Sequence, residues 1–202
     1  MSLTLDNAHT SRPHSPAQTS TPIHEVLANR YSPRAYAVDA ALDETRLVAA
    51  LEAARWSPSA ANTQPWRFIV ARRGTPEFDS IAVTLAGFNQ VWAVNAGALI
   101  VALAETVNAE GRPMRWAQYD LGQALAHFSV QAHHDGLHVH QMGGFDVDGI
   151  RSAFGVEDRF EPVSITAVGV LGDLDVLPED SRDRERAPRT RLPLDEILLV
   201  NA

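Results

Sequence analysis

Residues 56–71 read Trp56-Ser57-Pro58-Ser59-Ala60-Ala61-Asn62-Thr63-Gln64-Pro65-Trp66-Arg67-Phe68-Ile69-Val70-Ala71. A run of small and hydrogen-bonding residues sits between two tryptophans and leads straight into an apolar, β-branched stretch. Upstream, from Asp43, apolar residues recur at Leu47, Val48, Leu51 and Ala54, the stripe of an amphipathic helix with Asp43 as its cap. That helix must stop before Pro58, because proline disfavours helical geometry in its predecessor. The segment is therefore a helix end, a small polar turn and the start of a strand over Phe68 to Arg72. Asn62 and Gln64 could read the edge of a planar heterocycle with their amides. Equally, such residues satisfy their own turn backbone.

Working outward, a short helix is expected after Pro22 with Val26 and Leu27 facing inward, ending near Ser32-Pro33. Downstream, the pattern predicts a helix over 77–85 and a strand over 98–104 buried on both faces. A long helix follows over 115–134, closed by Gly136, then a strand over 137–142, a helix over 147–154 and a core strand over 164–171. From Gly172 the chain reads as an extended tail whose final apolar run, Ile197 to Val200, wants a sheet edge. Residues 1–21 are polar and rich in Pro, Ser and Thr, the composition of a mobile tail before one domain over 22–202. Strands placed irregularly among helices imply an α+β fold, a mixed but mainly antiparallel sheet covered by helices.

The chain has 202 residues, 45% of them hydrophobic, enough for one domain with a full core. It has no cysteine, which excludes disulfides, thiolate catalysis and cysteine-ligated metals and fits a cytoplasmic protein. All 17 basic residues are arginine, so Schiff-base, lysine general-base and P-loop chemistry are excluded. A net charge of −8 argues against general nucleic-acid or anionic-membrane binding. No apolar run approaches the roughly 20 residues of a membrane span.

Against that acidic background, three arginine groups need a local explanation: Arg30 and Arg34 around Ser32, Arg67 with Arg72-Arg73, and the run from Arg182 to Arg191. Arginine with a hydroxyl at a helix end suits a phosphate monoester, since guanidinium forms forked charge-assisted bonds. Solvated surface arginine in local salt bridges is the ordinary alternative, and it is the reading given to Arg182, Arg184 and Arg186. Trp56, Trp66, Trp92 and Trp116 are expected in the core. His133, His134, His138 and His140 lie close together without a carboxylate at ligand spacing, so they read as exposed or hydrogen-bonded histidines rather than a metal site. No Gly-x-Ser-x-Gly turn offers a hydrolytic serine.

Taken in order, these segments resemble the FMN-dependent nitroreductase family over roughly residues 24–200. The resemblance rests on Arg30-Tyr31-Ser32-Pro33-Arg34-Ala35-Tyr36, on Pro58-Ser59-Ala60-Ala61-Asn62-Thr63-Gln64-Pro65-Trp66, and on Asn89. It continues through Tyr119-Asp120-Leu121-Gly122, Met142-Gly143-Gly144-Phe145-Asp146 and Pro188-Arg189-Thr190-Arg191-Leu192-Pro193. It implies an intertwined homodimer with FMN at the interface. Arg30, Ser32, Arg34 and Arg191 would hold the phosphate, with Arg189 near it. Pro58, Ser59 and Ala60 would approach the flavin from the other subunit, Asn62 and Asn89 would lie near the isoalloxazine, and Gly143 and Gly144 would set backbone donors beside N5. It further implies ping-pong turnover in which NAD(P)H reduces the flavin and a nitroaromatic or quinone reoxidises it. A family offshoot that dehalogenates, desaturates or degrades a flavin, and a flavin-binding protein without turnover, are the alternatives. Tyr31 stands where the family often has Arg or His, and Gly143 where many members carry Glu. The segment Glu105 to Arg115 is short beside the helical insertion of larger members, so substrate preference does not carry over.

Overall fold

The computed structural model describes residues 16–201. Its centre is strand β2 (Ala98–Glu105), every residue of which is buried. Alternate side chains go to opposite sides, as the two-residue repeat of a strand requires. Ala98, Ile100, Ala102 and Ala104 join one core cluster, while Leu99, Val101 and Leu103 join another. Each cluster is roofed by helices, so a strand with no polar face has no face in water.

Around β2 the sheet order is β1-β2-β4-β3, with β1 Trp66–Arg72, β3 His138–Met142 and β4 Phe160–Gly169. The sheet expected to be mixed and mainly antiparallel is antiparallel at every pairing among the described residues. One side is covered by α2 (Glu44–Arg55) and the long α5 (Ala117–His134). Here Ala98, Ala102 and Ala104 meet Ala117, Ala124 and Ala132, and the small side chains let helix and sheet approach closely. Leu47, Leu121, Leu125 and Phe128 fill the remaining volume, each contributing roughly 1.5–3 kcal/mol by burial.

The other side is covered by α3 (Pro76–Ala82), α4 (Gly87–Ala93) and α6 (Val147–Phe154), which supply Phe78, Ile81, Trp92 and Ile150. Local signals set these ends. Asp43 accepts from the Arg46 amide at 3.1 Å, Thr75 from Phe78 at 3.3 Å ahead of Pro76, and Asp146 from Gly149 at 3.1 Å. Gly155, with φ 61°, closes α6.

Several expectations need correction. Trp66 and Trp92 are core residues, but Trp56 is 75% and Trp116 51% exposed. Val48 and Leu27 also face outward. The helix expected over 77–85 stops at Ala82, because the Thr84 hydroxyl donates to the Ile81 carbonyl and Leu85 leaves to bridge Phe145. The helix α4 was not anticipated. Nor was α7 (Glu179–Arg186), within what looked like an extended tail. Part of the terminal apolar run forms a short helix, α8 (Leu194–Ile197), and Leu199 and Val200 then lie 95% and 82% exposed without a strand partner among the described residues. Of the proposed N-terminal tail, residues 1–15 lie outside the described residues, and the Ala17 amide donates to the Ala28 carbonyl at 2.8 Å. No helix among the described residues is long and apolar enough to cross a membrane.

Candidate functional site

The first helix, α1 (Glu25–Asn29), ends where Arg30 turns extended with ψ 131°. Arg189, from 159 residues further along, donates to the Arg30 carbonyl at 2.6 Å and to the Ala28 carbonyl at 2.7 Å. These bonds satisfy carbonyls that a helix end leaves without partners. They also bring Arg189 and Arg191 beside Arg30, whose pKa is lowered by burial and then by those two guanidiniums. Neither Arg30 nor Arg191 has a carboxylate partner among the described residues. Three cations that repel one another, in a chain of net charge −8, concentrate positive charge that an anion would neutralise.

Arg34 is differently placed. Its amide donates to both oxygens of Glu185 at 3.1 and 3.2 Å, and its Nη1 reaches the same carboxylate at 3.3 Å. Glu185 is 1% exposed, and its pKa is raised by burial although Arg34 opposes the shift. The charge of Arg34 is thus largely neutralised. Its guanidinium lies 5.8 Å from the Phe88 ring, which Arg184 covers at 4.2 Å. Arg184 is exposed, as expected, and adds a contact with the Phe88 ring.

Between these arginines, Ser32 is exposed and Tyr31 is buried edge-on to His138. The loop is held from β3 by His140, whose Nδ1 lies 2.9 Å from the Pro33 carbonyl and whose ring packs 4.5 Å from Trp92. Burial lowers the His140 pKa to about 4, so the ring is neutral at pH 7 and its Nδ1–H donates. At the end of β3, Gly144 gives its carbonyl to the Ala86 amide at 2.9 Å and to Asn89 Nδ2 at 3.3 Å. Gly144 can therefore offer a ligand only its N–H. A side chain added at Gly143 would meet nothing within 4 Å, so the backbone there faces open space.

The turn ahead of β1 is a second centre. Ala61, Asn62 and Gln64 all have positive φ, at 51°, 56° and 50°. Each costs on the order of 1–2 kcal/mol for a residue with a Cβ. The strain persists because the turn is anchored. Ser59 Oγ accepts from the Gln64 amide at 3.0 Å, and Ala60 donates to Asp120 Oδ2 at 3.0 Å. Asp120, only 2% exposed, is itself braced by Gln123. Ser57 Oγ and His127 Nδ1 meet at 2.7 Å on the same side. Pro58, Ser59 and Ala60 line a cleft of about 470 Å³ with Trp116 and Tyr119, and Asn62 is exposed beside it.

The structure gathers Arg30 to Arg34, Asn89, Gly143, Gly144, Arg189 and Arg191 along the β3 edge. Pro58, Ser59, Ala60 and Asn62 lie at the β1 edge. Strand register puts the start of β1 and the end of β3 at the same end of the sheet. They are separated by three strand spacings, about 14 Å. No hydrogen bond or ion pair joins the two groups among the described residues.

A model of the nitroreductase family matches residues 27–77 and 75–170. The chain belongs to the nitroreductase family. A solved oxidoreductase containing FMN is 32% identical, with a TM-score of 0.81 and 91% of this chain and 93% of that one covered. A protein of Exiguobacterium sibiricum, solved in complex with FMN and provisionally named a nitroreductase, is 25% identical at a TM-score of 0.70, covering 89% and 97%. An uncharacterized 15.4 kDa protein from the ask 5′ region of Mycolicibacterium smegmatis is 38% identical over 65% of this chain and 92% of its own. A Bacillus subtilis protein with the provisional name NAD(P)H nitroreductase YdgI is 25% identical over 86% and 94%.

For this nitroreductase-family chain, three residues that hold the site had no role assigned from sequence. Asp120 lies inside a motif that was noticed, and its burial next to a strained turn is what gives it a purpose. His140 was read as an exposed or hydrogen-bonded histidine, and it is hydrogen-bonded, but its partner Pro33 lies 107 residues away and could not be named. Glu185 was hidden in an alternating acidic and basic run, where nothing local distinguishes a buried carboxylate from a solvated one.

Proposed function

We propose that the protein is an FMN-dependent oxidoreductase that accepts hydride from NAD(P)H and delivers it to an electron-poor small molecule such as a nitroaromatic or quinone. The observation that carries this reading is the cluster of Arg30, Arg189 and Arg191 without a carboxylate partner, which fits the phosphate of a mononucleotide. The exposed hydroxyl of Ser32 adds a donor next to it. Open backbone at Gly143 and the Asn89–Gly144 clasp suit the close approach of a flat ring. Bound FMN would supply two-electron chemistry that protein side chains lack, alternating between nicotinamide and acceptor in a ping-pong cycle.

The chain's own residues bind and orient. Arg30 and Arg191 hold the phosphate, and Arg189 locks the loop that carries Arg30. His140 and Glu185 are committed to holding Pro33 and Arg34 rather than to moving protons. The backbone N–H groups of Gly143 and Gly144 would face the ring edge, where such donors would favour negative charge. The turn at Pro58 to Asn62 lies at the opposite sheet edge, so a complete site requires that turn from a second copy, in an intertwined homodimer. Exposed Trp56, Leu192, Leu199 and Val200 give such a dimer apolar surface to bury.

Each charge-assisted phosphate contact is worth about 1.5–3 kcal/mol. The Arg30→Ala/Arg191→Ala variant should therefore weaken FMN binding by at least about 100-fold, read as flavin lost on gel filtration. Full FMN occupancy in that variant would overturn the phosphate assignment. A stable FMN-bound monomer in sedimentation would overturn the two-chain site. Steady NAD(P)H oxidation with a quinone is expected, whereas a single reduction per site would mark a binder without turnover.

A further inference from the structure

Next to the strained turn, and sharing Ala60 with the cleft described above, lies a second cleft of about 640 Å³. One wall is the turn itself, at Ala60 and Ala61. The other is the short segment after β2, with Arg112, Met114, Arg115 and Trp116. That segment is a built hairpin rather than a loose loop. Val107 bridges Pro113, the Asn108 side chain accepts from the Glu110 and Arg112 amides at 3.1 and 2.8 Å, and Gly111 takes a φ of 77° to close it. Arg112 and Arg115 are thereby carried on a fixed frame.

The charge around this cleft runs against that of the chain. Glu105, at the root of the hairpin, is neutralised twice, by Arg67 Nη2 at 3.1 Å and by Arg159 Nη1 at 2.5 Å. Arg112 and Arg115 have no carboxylate partner among the described residues, and Glu110 is the only other acidic group lining the cleft. The Arg115 guanidinium lies 4.9 Å from the centre of the Trp116 ring, and Tyr119 meets that ring edge-on at 6.2 Å. Flat aromatic surface and uncompensated cations therefore occur together, beside the turn that the proposed function assigns to the flavin.

We infer that this cleft binds the electron acceptor and selects planar aromatic molecules that carry a carboxylate or sulfonate. The inference rests on the flavin reading for its role in turnover, but not for the binding itself. The ring packs against Ala60, Ala61 and Trp116, while Arg112 and Arg115 meet the anion at the rim. An exposed ion pair is worth up to about a factor of five in affinity, and salt weakens it.

The test is calorimetry at pH 7 on the purified protein after incubation with excess FMN and removal of the unbound flavin, with 4-nitrobenzenesulfonate and its neutral near-isostere 4-nitrobenzenesulfonamide. The sulfonate is expected to bind about fivefold more tightly. That gap should narrow as salt is raised and vanish in Arg112→Gln/Arg115→Gln, which changes only exposed side chains. Equal binding of the two probes, or a gap that survives the double variant, overturns the inference. Bound flavin per chain is measured on the same samples. A protein that holds no flavin yet keeps an arginine-dependent gap refutes the cofactor reading and supports this cleft. A flavin-loaded protein without the gap does the reverse.

Discussion

The arginine half of the site, from Arg30 to Arg34 with Arg189 and Arg191, takes its form from bonds that span 151 to 161 residues of chain. The turn from Ser57 to Gln64 is held by itself, through the Ser59–Gln64 bond, and by two side chains of α5, Asp120 and His127. The first half concentrates charge and is kept in place by buried polar partners. The second concentrates backbone strain and is kept in place by two short ties to α5, Asp120 on the Ala60 amide and His127 on Ser57 Oγ. A long-range charged half should fail through loss of a partner, whereas a local strained half should relax by degrees.

The largest effect is expected at Glu185. Removing one member of a buried, hydrogen-bonded ion pair commonly costs about 3–5 kcal/mol, and Arg34 here is one-fifth exposed, which favours the lower end. Glu185→Ala should therefore lower unfolding stability by about 3 kcal/mol in urea titration, while Glu185→Gln, which keeps an acceptor oxygen, loses less. Equal stability of wild type and Glu185→Ala would show that the arginine half does not depend on this partner.

His140 gives the same half a pH dependence. Its folded pKa of about 4 lies below the ordinary histidine value of 6.5, so between those limits the unfolded chain binds the extra proton and the folded one does not. Stability is therefore full above about pH 6.5 and falls as pH drops toward 4. The loss is on the order of 3 kcal/mol at one pK unit per 1.4 kcal/mol. Glu185 acts with the opposite sign, because its raised pKa makes the folded state the first to take a proton as pH falls. Comparing urea midpoints of wild type and His140→Gln from pH 7.5 to 4.5 isolates the histidine. The variant should show the shallower decline, and parallel curves would remove His140 from the account.

The turn half should respond more gently. Asp120→Ala leaves the Ala60 amide without its acceptor, at a cost of about 1–3 kcal/mol. With its anchor gone, the turn should show faster amide exchange at Ala60 to Gln64 while exchange at Arg30 to Arg34 is unchanged. Equal protection in both halves would mean that Asp120 does not set the turn.

Sequence alone made the strands and long helices legible where periodicity and end signals agreed. The double-sided burial of β2, the Asp43 cap and the Gly136 stop are of this kind. It missed α4 because Gly87 and Asn89 weaken helix propensity, and α7 because Glu179 to Arg186 has no apolar stripe; tertiary packing decides both. Trp56 and Trp116 were misjudged since large aromatic side chains are usually buried, yet these two are exposed, with an arginine side chain over each ring. The pairing of Arg30 with Arg189 and Arg191 entered through family resemblance. No local pattern joins residues that far apart, and Glu185 shows the same limit from the other side.

The smallest effect is the one that most directly tests strain in the turn. Ala61 has φ 51° in the left-handed region, where a Cβ crowds the following carbonyl. Ala61→Gly removes that crowding, worth about 1–2 kcal/mol, but it also loosens the unfolded chain, which offsets roughly 0.4–1 kcal/mol. The net expectation is a gain of up to about 1.6 kcal/mol, seen as a rise in the urea midpoint with an unchanged slope. Gly87→Ala, at a position of ordinary φ with nothing within 4 Å, supplies the reference for the same change in reverse. If Ala61→Gly destabilised the protein by as much as Gly87→Ala stabilises it, the turn would carry no strain of its own. Its shape would then come from its hydrogen bonds to Asp120, His127 and Ser59 alone, and the contrast between the two halves would reduce to one between long-range and short-range partners.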